Sequence, residues 1–401
     1  MADLFDKLGN FTLAQEAREM GIYPYFRALS DSEGTTATFE GKDVVMLGSN
    51  NYLGLTTDPR VREAAAEALA RFGTSVTGSR FLNGTLELHL ELERRLAKFV
   101  GKEAALVFST GYQANLGAIS AIVGKGEYAI LDKDAHACIV DGAMLSRGEM
   151  KRFKHNDLDD LDRVLSNLPK DAAKLVIVDG VYSMGGDIAP LPEIVEICKK
   201  HNTRIMVDDA HGVGVTGQGR GTLSHFNITD DIDLMMGTFS KSFASIGGFI
   251  AGDADVMDYI QHHARSLIFS AALPAPNAAA VLAALDIIET EPEHVARVWD
   301  NADYMRKHLQ ELGYDTGHSN TPIIPIIIGD KFKTGLTWRA LIEAGVYTNP
   351  VVPPATPPNG SLLRTSYTAT HTQEHLDRAL TGFKKVGVDL DLIPEQKPAE
   401  I

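Results

Sequence analysis

The sequence predicts a mainly parallel α/β sheet covered by helices on both faces, followed by a smaller α+β domain. Three observations carry this. Short, near-continuous apolar runs recur at Ala105–Ser109, Tyr128–Leu131, Lys174–Asp179, Thr203–Asp208, Leu234–Met236 and Phe249–Ala251. Most gaps between them have helical length and patterning, as at Gln113–Val123, Asp157–Leu165 and Leu191–His201. Strands without polar alternation are buried on both faces, which is the habit of parallel sheets. Beyond about residue 285 the rhythm changes to a long amphipathic helix (Glu293–Leu312), the strand Ile323–Ile328, a helix near Leu336–Ala344, the strand Ser361–Tyr367 and a last helix from Thr372. The expected division is an N-terminal arm over 1–45, a large domain over 46–285 and a small C-terminal domain over 286–401.

Size and composition bound the function. A chain of 401 residues suits one large and one smaller domain. No run of eighteen apolar residues exists, so no membrane span is expected, and Met1-Ala-Asp-Leu-Phe-Asp-Lys lacks the pattern of a signal peptide. Two cysteines, Cys138 and Cys198, are too few for a disulfide framework or a zinc cluster. They read as core thiols in a reducing, cytoplasmic compartment, and no metal site is expected. A net charge of −15 argues against a nucleic-acid partner, whose phosphates the chain as a whole would repel.

Before the first apolar run come a short helix (12–20), the aromatic knot Tyr23–Arg27, and the strand Asp43–Leu47 running into Gly48-Ser-Asn-Asn-Tyr-Leu-Gly54. Asn50 and Asn51 could donate to and accept from a substrate, but on these residues alone they read first as turn formers. Helices at Pro59–Arg71 and Leu86–Val100 flank the loop Gly73–Gly84, which is rich in glycine and hydroxyls. Ligands of parallel sheets sit outside the carboxyl ends of the strands, so the residues after each run matter most. Ser109-Thr-Gly-Tyr-Gln-Ala-Asn115 opens a helix whose first N–H groups, at Gly111 and Tyr112, form an anion site. Asp132-Lys-Asp-Ala-His136 ends in a histidine that is either structural or stacked on a flat ligand. Asp208-Asp-Ala-His211-Gly-Val-Gly places an aspartate at a buried strand end, which is costly unless paired.

The stretch Ile232–Gly248 gives these loops a common centre. Thr238, Ser240 and Ser242 crowd hydroxyls around Lys241, and Gly247-Gly248 lets the chain turn back into the sixth run. A desolvated lysine among hydroxyls and loop N–H groups suits a Schiff base beside a phosphate, whereas a solvated loop lysine is the plainer alternative. Arg364, set between Leu363 and Thr365 in an apolar strand, wants a carboxylate or phosphate. The proline-rich run Pro350–Pro358 reads as a rigid extended loop, and the tail after about Leu392 as frayed.

Together these pieces match a pyridoxal phosphate (PLP) site. The phosphate would lie at Gly111, Tyr112, Thr238 and Ser240, the ring under His136, the ring nitrogen on Asp208, the phenolic oxygen near His211, and the aldehyde carbon on Lys241. The chain from about Tyr23 to about Leu380 resembles the α-oxoamine synthases, fold-type I PLP enzymes that condense an amino acid with an acyl-CoA. The resemblance is carried by SNNYLGL (Ser49–Leu55), GTSVTGSRFLNGT (Gly73–Thr85), FSTGYQAN (Phe108–Asn115), DDAHGVG (Asp208–Gly214), GTFSKS (Gly237–Ser242) and FSAALP (Phe269–Pro274). It implies a seven-stranded sheet in the large domain, and catalytic roles for Lys241, His136, Asp208 and His211. It also implies that Asn50 approaches the substrate and Arg364 grips its carboxylate. A homodimer is implied, in which Ser270 reaches the phosphate of the neighbouring subunit's site.

Within the family, GTFSKSFASIGG and the PPATP run (Pro353–Pro357) resemble serine palmitoyltransferases more than glycine C-acetyltransferases, aminolevulinate synthases or 8-amino-7-oxononanoate synthases. The resemblance implies L-serine and palmitoyl-CoA as substrates, with 3-ketodihydrosphingosine, CoA and CO2 as products. That reaction is the first step of sphingolipid synthesis, and weak membrane association for product release is left open. One departure stands out: several bacterial members have an arginine immediately before PPATP, and Val352 stands there here. An aminotransferase and a non-catalytic partner subunit are the readings from other classes.

Overall fold

The computed structural model describes residues 3–394 and divides into two compact units, Asn50–Trp299 and the described parts of Met1–Ser49 with Asp300–Ile401. The unit Asn50–Trp299 is built on seven strands: β1 (Ala104–Phe108), β2 (Tyr128–Asp132), β3 (Glu149–Phe153), β4 (Lys174–Asp179), β5 (Arg204–Asp208), β6 (Leu234–Thr238) and β7 (Gly248–Gly252). Their order is β1-β7-β6-β5-β4-β2-β3, with β7 antiparallel to both its neighbours and every other pairing parallel. The six apolar runs are six of these strands. The seventh, β3, has the sequence Glu-Met-Lys-Arg-Phe and lies at the sheet edge with only Phe153 buried, so it carries no apolar run.

All six residues of β4 are buried, Lys174 among them, and its ammonium donates to the carbonyl of Ala172 at 2.8 Å. Helices α1 (Gly111–Ile122) and α2 (Ala137–Leu145) pack on one face through Ala114, Ala118, Ile119, Ile139 and Ala143, in one core with Leu131, Ile177 and Met206. The helix Ala275–Thr290 packs along Pro59–Phe72, which opens with Asp58 accepting from the Arg60 N–H at 2.9 Å.

In the other unit, the segment expected as an arm supplies a meander of three antiparallel strands (Leu29–Ser32, Thr36–Phe39, Lys42–Met46), and Val346–Tyr347 joins it as a parallel fourth. Thr-Ala-Thr-Phe and Leu-Ser-Asp-Ser are too short and polar to stand out as strands. A second sheet runs Ile323–Gly329, Ser361–Ser366, Asn349–Val351, all antiparallel. Phe39, Trp338, Leu341, Tyr367 and Phe383 share its buried core. The helix expected near Leu336 starts earlier, at Lys331, because the Asp330 carboxylate caps it by accepting the Lys333 N–H at 2.7 Å. From residue 395 the tail expected to fray lies outside the described residues. No helix among the described residues is long and apolar enough to cross a membrane.

Candidate active site

The carboxyl ends of β1, β2, β4, β5 and β6 converge on one cavity of about 370 Å3. It is lined by Gly111, Tyr112, His136, Asp208, His211, Thr238, Ser240 and Lys241, together with Thr110, Cys138, Asp179 and Ala210. A parallel sheet whose strand order reverses in its interior leaves this kind of crevice. Eight of the nine positions expected to hold the cofactor therefore meet in a single chain. The ninth, Ser270, lies outside the lining, and its hydroxyl accepts from the Gln113 side-chain Nε2 at 2.9 Å.

One end of the cavity is an anion cup. Thr110 caps α1, its hydroxyl accepting from the Gln113 N–H at 3.1 Å, and the first N–H groups of a helix have no partner inside it. Thr238 Oγ1 lies 3.0 Å from Ser240 Oγ. Position 111 must be glycine because a Cβ there would stand 2.7 Å from Thr238 Oγ1 and 2.9 Å from Met236 Cε.

Acid groups line the other end. Asp208 is buried, with Oδ1 accepting the Ala210 N–H at 3.0 Å and Oδ2 accepting from Asn115 Nδ2 at 2.6 Å. Asp179, also buried, accepts the His136 backbone N–H at 3.3 Å. Burial, and then the nearby Asp208 charge, push the Asp179 carboxyl well above the usual carboxylate range. Asp209 faces away from the cavity into the loop behind it, accepting the Thr222 N–H at 2.7 Å and its hydroxyl at 2.9 Å. Burial raises its pKa to about 7, against the pull of those two bonds.

His211 is buried and its Nδ1 lies 2.8 Å from the hydroxyl of Tyr52, itself almost wholly enclosed. Burial also lowers the pKa of His136, the Asp208 charge opposing and the Lys241 charge reinforcing the shift. The Tyr112 ring meets His136 edge-on with centroids 6.5 Å apart, and its hydroxyl donates to the Asp141 carboxylate, which raises the phenol to about 12. Asn115, Asp179, Tyr52 and Cys138 are residues of this site to which the sequence reading gave no role. The signal that could have found them is the rule applied to the others: Asp179 ends a strand, and the remaining three lie within four residues of a strand-end motif.

Neither expected substrate residue is among those lining the cavity. Asn50 follows the strand Lys42–Met46 and its Oδ1 is 3.5 Å from the Tyr52 hydroxyl. Arg364, in the strand Ser361–Ser366, is buried, with Nη1 donating to Ser366 Oγ at 3.4 Å.

The sequence matches the family model described as aminotransferase class I and II over residues 42–383. The chain belongs to this family, in its α-oxoamine synthase branch. It is 49% identical to the serine palmitoyltransferase of Sphingobacterium spiritivorum over 384 residues, 96% of either chain. It is 43% identical over 381 residues to the 8-amino-7-oxononanoate synthase of Thermoanaerobacter pseudethanolicus, covering 94% of this chain and 96% of that one. Among solved structures, the Sphingomonas wittichii serine palmitoyltransferase superposes with a TM-score of 0.95 at 41% identity, covering 98% of this chain and all of the other. A serine palmitoyltransferase solved with PLP matches with the same TM-score at 40% identity and the same coverage.

The donor set fits PLP, on which this family depends. A helix N-terminus with two hydroxyls suits a dianionic phosphate. A buried carboxylate already held by two donors suits a protonated ring nitrogen. Lys241 lies in the same cavity as both.

Proposed function

We propose that this enzyme condenses L-serine with a long-chain acyl-CoA, palmitoyl-CoA by preference, releasing CoA and CO2 and giving 3-ketodihydrosphingosine. The observation that carries the reading is the gathering of Lys241, Asp208, His211 and His136 with an anion cup in one cavity, in a chain so similar to serine palmitoyltransferases. When bound, PLP supplies an aldehyde for an amine to hold and an electron-withdrawing ring that acidifies the amino acid's Cα–H.

The chain's residues divide the remaining work. Gly111 and Tyr112 N–H groups with Thr238 and Ser240 hydroxyls hold the phosphate. Asp208, which accepts from the N–H of Ala210 and the amide of Asn115, would hold a proton on the ring nitrogen. His211, braced by Tyr52, hydrogen-bonds the phenolic oxygen. Lys241 Nζ would hold the aldehyde carbon and is the group placed to take the α-proton. The imidazole of His136 would lie against the ring and orient the substrate. Arg364 binds the substrate carboxylate, Asn50 approaches the substrate, and in a homodimer Ser270 reaches the partner's phosphate.

The test is CoA release with purified protein across glycine, alanine and serine, each against acyl-CoAs of two to eighteen carbons. Serine with the sixteen-carbon thioester should turn over fastest. Preference for alanine with a six- or seven-carbon dicarboxylic acyl group, or for glycine with acetyl-CoA, would replace this reading by another member of the branch. Conversion of the cofactor to its amine form by amino acid alone would indicate an aminotransferase.

A further inference from the structure

The hydrogen atoms behind His136 can be counted. The backbone N–H of Cys138 lies 3.3 Å from His136 Nδ1, the side-chain cap of α2. An N–H group only donates, so Nδ1 carries a lone pair. Cys138 Sγ stands 2.8 Å from the same nitrogen. Asn115 Nδ2 has two hydrogens: one goes to Asp208 Oδ2 at 2.6 Å, the other to Cys138 Sγ at 3.0 Å. The sulfur therefore accepts from Asn115 and gives its single hydrogen to His136. Each donor in the chain Asp208–Asn115–Cys138–His136 has one direction open to it.

We propose that Asn115 and Cys138 are positioning residues that hold His136 as the neutral imidazole with its hydrogen on Nε2, the ring's one N–H donor in the cavity. The Cys138 N–H and the thiol both point at Nδ1, which leaves the ring hydrogen to Nε2, while Asn115 donates to the sulfur and to Asp208. Two features of the surroundings support this. Burial, and then the Asp208 charge, push the Cys138 thiol up, so the hydrogen stays on sulfur. Burial also holds the His136 pKa down. The titratable groups that line the cavity with His136 are Asp208 at the end of β5, His211 in the loop after it, Asp179 at the end of β4, Lys241 after β6, Tyr112 on α1 and Cys138 on α2. Tautomer choice in a histidine is set by the bond the other ring nitrogen makes. The proposed function enters only in what receives the Nε2 hydrogen, an oxygen of the substrate.

The experiment is long-range 1H–15N correlation on holoenzyme labelled in the histidine rings, with His136→Asn identifying the signal. At pH 7.5 the wild type should show one neutral tautomer, Nε2 protonated and Nδ1 bare. Cys138→Ser retains a hydroxyl donor and should retain both the tautomer and the titration point. Cys138→Ala loses a donor to the neutral form, which should raise the His136 ionisation by about half to one pH unit. A hydrogen on Nδ1, a doubly protonated ring at pH 7.5, or identical titrations in wild type and Cys138→Ala would overturn the proposal. None of these readouts depends on which acyl-CoA the enzyme uses, so the proposal and the proposed function fail separately.

Discussion

His155 is held on both sides, and the consequence for stability can be worked out. Its Nδ1 lies 3.0 Å from Asp132 Oδ1 and its Nε2 2.9 Å from Asp187 Oδ2. Two carboxylates on the two nitrogens require both to carry hydrogen, which makes the ring an imidazolium. Burial opposes that charge, but the bonds to Asp132 and Asp187 outweigh it and raise the pKa from 6.5 to about 10. At about 1.36 kcal/mol per unit the shift corresponds to about 5 kcal/mol. The ring is 29% exposed, and discounting for solvent screening leaves about 2–3 kcal/mol. Because the folded pKa is the higher one, this stabilisation is fully present below pH 6.5 and is lost as pH rises through 10. His155→Asn should therefore lower the melting temperature by about 3–6 °C at pH 6, and the gap should shrink steadily toward pH 10.5. Scanning calorimetry of wild type and variant across that range measures the gap directly, and other titrations cancel in the difference. A variant that melts with the wild type at pH 6, or a gap constant to pH 10.5, refutes the imidazolium.

The remaining predictions concern the cavity and its substrate. Lys241→Ala should abolish the visible absorbance of the lysine-held cofactor and all but trace turnover, with circular dichroism unchanged; near-normal turnover would remove Lys241 from the centre of the site. Asp208→Ala should cost at least roughly two orders of magnitude in kcat, the usual loss for a group acting in the transition state. Tyr52→Phe removes one bond to His211 and should cost roughly three- to tenfold in kcat/KM, the worth of about 1 kcal/mol, read by steady-state kinetics. Arg364→Ala should raise the Kd for serine more than tenfold, since losing a charge-assisted pair costs about 2–5 kcal/mol, while acyl-CoA affinity stays within about twofold. Spectral titration with serine checks this, with Val352→Arg alongside to ask whether a second guanidinium tightens binding.

Much of the large sheet was legible because its strands are buried on both faces. Lys174–Asp179 has no alternation to confuse, and its observed limits equal the expected ones. Where burial is one-sided or local, the signal fades. Glu149–Phe153 pairs along only one edge, and the sequence Glu-Met-Lys-Arg-Phe shows it. The helix Ala275–Thr290 is apolar nearly all round, with alanines on every face, so no stripe marks it as a helix. The strands at Leu29–Ser32 and Thr36–Phe39 are fixed by pairing with Lys42–Met46 rather than by their own composition.

The site divides in the same way, by how far a residue acts from its own strand end. Gly111, His136, Asp208, Thr238 and Lys241 follow directly on strands, and topology alone puts them at one cavity. Asn115 is a turn further into α1, where a polar residue reads as an ordinary helix position; only the folded geometry shows its two hydrogens divided between Asp208 and Cys138. Cys138 reads as a core thiol, and it is buried like Cys198, yet it lies against His136 where Cys198 lies in the hydrophobic interior. Residues that touch a ligand are constrained by the sheet. Residues that orient them are constrained by side-chain packing between helices, and a sequence pattern carries no record of which hydrogen goes where. The directional chain from Asp208 to His136 is thus the part of the site whose logic had to come from geometry, and it is also the part that removing one thiol, with Cys138→Ala, can test.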